Sequence, residues 1–333
     1  MKKSYFVFFV MISTVSAAIW GCNDNEGTIQ KDDIVSKTTD ISYLPGDTTN
    51  KHKLDVYYRK NTISHKAILF VPGGAWRQGD KDQYEALAST LCSFYNYTVI
   101  VTNYRLSNSE DGQAVHPDHI MDVASAFKWV MQNVGNYGGS QDSVFLFGQS
   151  AGGHLVTLLA ADEQYLQQVG YSSQNIRGII SMSGAYTLDD LVAFPLNPLG
   201  LNAEEVLMYK AIVANAFGAY DTTTLKPASP AYHVHDAMPP FLMIYTELDM
   251  PGFEADAENF YTRISTSETP FVTINKLYQS DYSDETWQTA TTLAAAEPAL
   301  ADYIGHYAEV VAINENDHLK MPTTWIVSFI EKH

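Results

Sequence analysis

Val144-Phe145-Leu146-Phe147-Gly148-Gln149-Ser150-Ala151-Gly152-Gly153-His154-Leu155-Val156-Thr157-Leu158-Leu159 holds a short apolar run, a glycine-rich turn and a longer run of helix-forming character. The first run, bounded by Gly148, has the length of a buried strand, and the second that of a helix. Ser150 stands at the apex between them, where strained backbone holds a hydroxyl clear of a sheet. Gly148 and Gly152, two positions either side, let strand and helix approach without a side-chain clash. The first N–H groups of the helix point toward any negative charge that develops beside that hydroxyl.

Working outward, Ala67-Ile68-Leu69-Phe70-Val71 is a second continuous apolar run, closed by Pro72-Gly73-Gly74. Residues 97–101, 178–182 and 241–245 have the same character, as strands covered on both faces do. Lys53-Leu54-Asp55-Val56-Tyr57-Tyr58 alternates and reads as a half-exposed edge strand. Between the runs, Ile120, Val123, Ala124, Phe127, Val130, Met131 and Val134 form an apolar stripe at helical spacing. Strands alternating with helices predict an α/β domain with a mainly parallel sheet covered by helices on both faces. Ligands then collect at the carboxyl ends of the strands. Residues 197–225 read as a small helical cap, with a helix over 204–216, and 280–300 as a surface insertion carrying a helix.

The chain has 333 residues, 46% of them hydrophobic, which suits one large α/β domain. Its 38 acidic and 20 basic residues give a formal charge of −18, which argues against nucleic acid or an anionic membrane surface as a partner. Lys2 and Lys3 precede an apolar stretch over 5–19, followed by Ile19-Trp20-Gly21-Cys22. This resembles a bacterial lipoprotein signal over 1–21, with Cys22 as the lipidated residue and bulky Trp20 as a departure. It implies an extracytoplasmic protein, lipid-anchored to a bacterial membrane through Cys22. Polar residues 22–41 then read as a flexible tether, leaving 42–333 as the folded domain. Cys92 is the other cysteine and reads as a small buried hydrophobe.

A serine hydroxyl becomes a useful nucleophile when a base takes its proton and a carboxylate steadies that base. With Ser150 on a strand–helix turn, the expected chain order is serine, acid, histidine. Asp249 leaves the run Phe241-Leu242-Met243-Ile244-Tyr245-Thr246 by a short turn and is the expected acid, with Glu247 its competitor. Residues 307–313 read as a final strand, followed by Asn314-Glu315-Asn316-Asp317-His318 and a closing helix over 321–330. His318 is therefore the expected base. His306 and His333 fall before that strand and at the terminus, and His233 and His235 on the cap side. His154 reads as a core or supporting residue. Backbone N–H groups of Gly73, Gly74 and Ala151 are the expected donors to an oxyanion, with Trp76 beside them as a substrate-binding residue. No histidine/cysteine cluster or phosphate-binding glycine loop suggests a metal or an organic cofactor.

Taken together, Pro72-Gly73-Gly74-Ala75-Trp76…Gly79-Asp80-Lys81, Asn103-Tyr104-Arg105-Leu106, Asp122…Trp129, Tyr137-Gly138-Gly139, Gly148 to His154, Ser229-Pro230-Ala231-Tyr232, Asp249 and His318 resemble the α/β-hydrolase superfamily. The likeness is to carboxylesterases of the hormone-sensitive-lipase-like and feruloyl/acetyl-esterase-like branch, and it covers about 42–333. It implies an α/β-hydrolase fold and a serine esterase working through an acyl-enzyme. Ser150 would be nucleophile, Asp249 acid, His318 base, and Gly73, Gly74 and Ala151 the oxyanion hole. The substrate would be a small-molecule or polysaccharide-linked ester, such as an acetyl or feruloyl decoration. An amide hydrolase on the same frame and a non-catalytic binding protein are the alternatives. Many relatives carry histidine where this chain has Pro72, which bears on how the loop is braced.

Overall fold

The computed structural model describes residues 35–47, 49–107, 113–189, 203–250, 252–267, 271–295, 303–314 and 322–333. The segment read as a lipoprotein signal, most of the tether before Val35, and His318 lie outside these residues. The strands are β1 (Val35–Ser42), β2 (Lys53–Arg59), β3 (Ala67–Val71), β4 (Thr98–Thr102), β5 (Val144–Gln149), β6 (Gly178–Met182), β7 (Phe241–Thr246) and β8 (Val272–Leu277). The helices are α1 (Glu85–Tyr95), α2 (Asp118–Asn133), α3 (Ala151–Ala161), α4 (Glu163–Val169), α5 (Ala203–Phe217), α6 (Thr222–Leu225), α7 (Phe253–Ser265), α8 (Asp284–Ala295), α9 (Ile304–Asn314) and α10 (Thr323–Lys332).

One sheet runs in the order β1-β2-β4-β3-β5-β6-β7-β8. The β1–β2 and β2–β4 pairs are antiparallel, and every pairing from β4 through to β8 is parallel. The continuous apolar runs become the central strands: β3, β4, β5, β6 and β7 are buried along their whole length. One apolar layer holds Leu69, Leu146 and Ile179 with the α2 and α3 stripes. The opposite layer holds Ile68, Phe147 and Ile180 with α1 and α10.

Three elements differ from the sequence reading. Val35–Ser42 is a strand paired with β2, so the tether ends earlier than residue 41 and β2 is an inner strand. The polar sequence Val-Ser-Lys-Thr-Thr-Asp-Ile-Ser suits a sheet edge that is half in solvent, and such a strand has no apolar run to announce it. The same holds for β8, Val-Thr-Ile-Asn-Lys-Leu, at the other edge. Residues 307–313 are not a strand but part of helix α9. Its buried residues Ala308, Glu309, Ala312 and Ile313 recur at helical spacing. Helices α5 and α8 fall within the two segments read as cap and insertion, and α8 packs against α9.

The turn after β5 depends on very close backbone packing. A Cβ on Gly148 would lie 2.2 Å from the Gly152 carbonyl oxygen, and one on Gly152 would lie 2.0 Å from the Val71 carbonyl oxygen. Gly152→Ala is therefore expected to lower the free energy of unfolding by about 1–3 kcal/mol or more, the range of overpacked interiors. Urea denaturation of the purified variant against the parent checks it.

Candidate active site

Parallel strands end at a common level, and the functional groups leave from those ends. Ser150 follows β5 with φ +55° and ψ −120°, a conformation that costs an L-residue roughly 1–3 kcal/mol. One tertiary hydrogen bond and the first hydrogen bond of α3 hold it there. Its N–H donates to the Met182 carbonyl at 2.8 Å, and its carbonyl accepts from the His154 N–H at 3.0 Å. Ser183, after β6, is a second strained residue with φ +43°, and its N–H donates to the Ile244 carbonyl at 2.7 Å. Asp249 follows β7 and is buried. Its Oδ1 accepts from the Met250 N–H at 2.7 Å.

The imidazole at this site belongs to His306. Nδ1 is 2.7 Å from Asp249 Oδ1 and Nε2 is 3.1 Å from Ser150 Oγ, so one ring spans acid and serine. This replaces the expectation for His318. The apolar run taken as a final strand is the helix α9, and His306 occupies its first turn, beside Asp249. Gly305 makes the approach possible. Its N–H donates to the Leu248 carbonyl at 3.1 Å, and a Cβ there would lie 1.8 Å from the Glu247 carbonyl oxygen. The Gly-His pair was the signal in the sequence, legible once the run is assigned as helix rather than strand.

Burial opposes the charged imidazole of His306. The adjacent Asp249 carboxylate and its hydrogen bond outweigh burial, so the pKa rises above the ordinary 6.5. Phe253 stands edge-on to the ring at a centroid distance of 5.8 Å. Glu309, three residues on along α9, is fully buried. Burial first, and then Asp249, push its carboxyl up to about 8.

The other expected residues sort clearly. Glu247 Oε1 accepts from the Gln279 N–H on the β8 side, so Asp249 is the carboxylate at the serine. The loop after β3 lies against Ser150: a Cβ on Gly73 would be 3.1 Å from Ser150 Cβ and 2.2 Å from Gln149 Oε1. Gly74 adopts φ +115°, and Tyr104 Oη donates to the Pro72 carbonyl at 3.1 Å. That hydroxyl braces the loop at Pro72. Ala151 opens α3 directly after Ser150.

Trp76 is not an open substrate-binding surface. It is 6% exposed, donates from Nε1 to His154 Nδ1 at 3.2 Å, and packs edge-on against Phe217 of α5. Burial draws the His154 pKa down to about 3, and its neutral ring bridges Trp76 to the Ala228 carbonyl 2.8 Å away. His233 and His235 contact the Pro227 and Ala160 carbonyls, and His333 packs on Phe271 and Phe329.

With this geometry in place, known proteins give the lineage. The family model described as BD-FAE matches residues 54–261, more than half of the chain. The chain belongs to the BD-FAE family. It is 28% identical over 280 residues to Esterase LipQ of Mycobacterium tuberculosis, covering 81% of this chain and 62% of LipQ. The chain spans about half to three fifths of the length of curated relatives it matches. Among solved structures it is similar to Esterase B from Lactobacillus rhamnosis, with a TM-score of 0.62 and 19% identity, covering 81% of this chain and 87% of that one. It is also similar to a truncated carbohydrate esterase from gut microbiota, with a TM-score of 0.58 and 18% identity, covering 74% and 89%. The fold is that of the α/β-hydrolases.

Replacement of His306 by Ala is expected to slow labelling of Ser150 by a fluorophosphonate at least about 100-fold, the scale of a lost general base. His318→Ala should label at a rate close to that of the parent. Mass spectrometry of the labelled peptide measures both.

Proposed function

We propose that this member of the BD-FAE family is a serine hydrolase that cleaves carboxylic esters through an acyl-enzyme. The bridge from Asp249 through His306 to Ser150 Oγ carries the reading. Ser150 Oγ attacks the ester carbonyl carbon while its proton passes to His306 Nε2. Asp249, on Nδ1, holds the ring in the tautomer that accepts at Nε2 and stabilises the imidazolium. Main-chain N–H groups of Gly73, Gly74 and Ala151 receive the developing oxyanion. The tetrahedral intermediate then collapses, the C–O bond breaks, and the imidazolium proton leaves with the alcohol. Water attacks the acyl-enzyme by the same route, His306 taking its proton and returning one to Ser150.

The substrate class we propose is an acyl ester on extracellular carbohydrate, such as an acetyl or feruloyl group. Two observations support it: a solved neighbour is described as a carbohydrate esterase, and the Gly21-Cys22 pattern suits export and lipid anchoring. The −18 charge favours a neutral or weakly charged polymer over an anionic one.

Turnover of p-nitrophenyl acetate by the parent should fall at least about 10³-fold in Ser150→Ala, as when a nucleophile is removed. Equal rates would overturn the mechanism. Acetylated and feruloylated oligosaccharides in the same assay decide the substrate class. The base works as neutral imidazole and its pKa is raised. On the acid side, kcat/KM should therefore fall through a midpoint above the ordinary histidine value of 6.5.

A further inference from the structure

Glu309 is a buried carboxyl that the ester chemistry above does not use. It lies on α9 one turn beyond His306, with no solvent exposure. Oε1 accepts from Gln149 Nε2 at 2.8 Å, and Oε2 lies 2.7 Å from Ser183 Oγ. The same Ser183 Oγ hydrogen-bonds Asp249 Oδ2. A hydroxyl carries one hydrogen, and an ionised carboxylate carries none. Were both carboxyls ionised, one of these two short O···O contacts would set lone pairs against lone pairs in a buried site. One of the carboxyls therefore holds a proton.

The surroundings decide which. Asp249 Oδ1 receives N–H donors from His306 and Met250, both at 2.7 Å, and the imidazole becomes cationic during the reaction. Glu309 receives one neutral amide N–H from Gln149. The polar and titratable groups around it are Asp249 after β7, Ser183 and Tyr186 after β6, Tyr84 before α1, Tyr282 before α8, and His306 on its own helix. None of these supplies a permanent positive charge.

We propose that Glu309 is held as a neutral carboxylic acid that donates to Ser183 Oγ, which in turn donates to Asp249 Oδ2. Glu309 is thereby a positioning residue: through Ser183 it fixes the carboxylate that orients His306 and adds no second negative charge beside it. The upward displacement of its carboxyl to about 8 agrees with the hydrogen-bond count. Ser183, at φ +43°, holds its hydroxyl between the two acids. The catalytic half of this proposal rests on the esterase reading above; the protonation of Glu309 does not.

The experiment uses the full chain. Near neutral pH, the infrared difference spectrum between the parent and Glu309→Gln should contain a protonated-carboxyl C=O stretch contributed by the parent. Its absence would overturn the charge assignment, whether or not the protein hydrolyses esters. In the kinetic arm, glutamine can reproduce both hydrogen bonds, its amide N–H on Ser183 and its carbonyl on Gln149. Glu309→Gln should hold kcat within about threefold and leave the acid limb of kcat/KM at its parental pH, whereas Glu309→Ala should lose about tenfold or more in kcat. An acid limb displaced to lower pH by about half a unit or more in Glu309→Gln would mean that a negative charge had been removed, and would overturn the proposal. Parental kcat in Glu309→Ala would overturn the positioning role. Should that variant not fold, Ser183→Ala breaks the same relay and carries the same expectation.

Discussion

The approach of the α3 N-terminus to the ends of β3 and β5 is the constraint on which this molecule rests. Backbone meets backbone there, at Gly148 against Gly152 and Gly152 against Val71, with no room for a Cβ. That contact holds the turn in which Ser150 keeps a positive φ, so the packing of the sheet supplies the strain energy at the serine. Because β3, β5, β6 and β7 run parallel, the loops carrying Gly73, Ser150, Ser183 and Asp249 all emerge at one rim. Local geometry and sheet topology thus solve the same problem, bringing polar groups from distant parts of the chain within hydrogen-bond reach.

Concentrating acids at a buried rim carries an electrostatic cost, and the arrangement around Asp249 shows how it is met. Asp249 takes donors on both oxygens, from His306 and Met250 on one and from Ser183 on the other. Away from the site, two buried acids, Asp55 and Asp122, are paired with cations. Asp55 is bridged by Lys81 at 3.0 Å, and Asp122 by the Arg105 guanidinium at 2.8 Å and by the Arg105 backbone N–H. These pairs lie under the loop after β3. Asn103 links them to the loop, accepting from the Lys81 N–H at 2.6 Å and donating to Asp80 at 3.0 Å. Removing one partner would leave an uncompensated buried charge. The Gly79-Asp80-Lys81 and Asn103-Tyr104-Arg105 motifs thus brace the loop after β3.

The cap side follows the same economy. Phe217 of α5 packs on Trp76 and on His154, so α5 is tied to the first turns of α3 behind Ser150. Trp76 serves that junction, with His154 neutral between it and the Ala228 carbonyl. An aromatic beside a glycine loop reads equally well as substrate contact or as anchor. Burial against an element far along the chain makes it the anchor.

The sequence by itself determined the central strands, the Ser150 turn, the glycine loop after β3 and Asp249, because each has a local signature: an apolar run, a glycine where a Cβ would clash, or an acid one short turn past a strand. Polar edge strands β1 and β8 left no such mark, since a half-solvated strand needs no apolar run. The choice of histidine was decided by tertiary structure. Residues 307–313 are apolar enough for a strand or a helix, and periodicity over so short a run does not separate the two. Packing against α8, and the backbone contact of Gly305 with Leu248, make the segment helical and carry His306 to Asp249. Glu309 was hidden for the same reason. Its partners, Gln149 and Ser183, come from two different strand ends, with Asp249 from a third beyond Ser183, and only the assembled sheet brings them together.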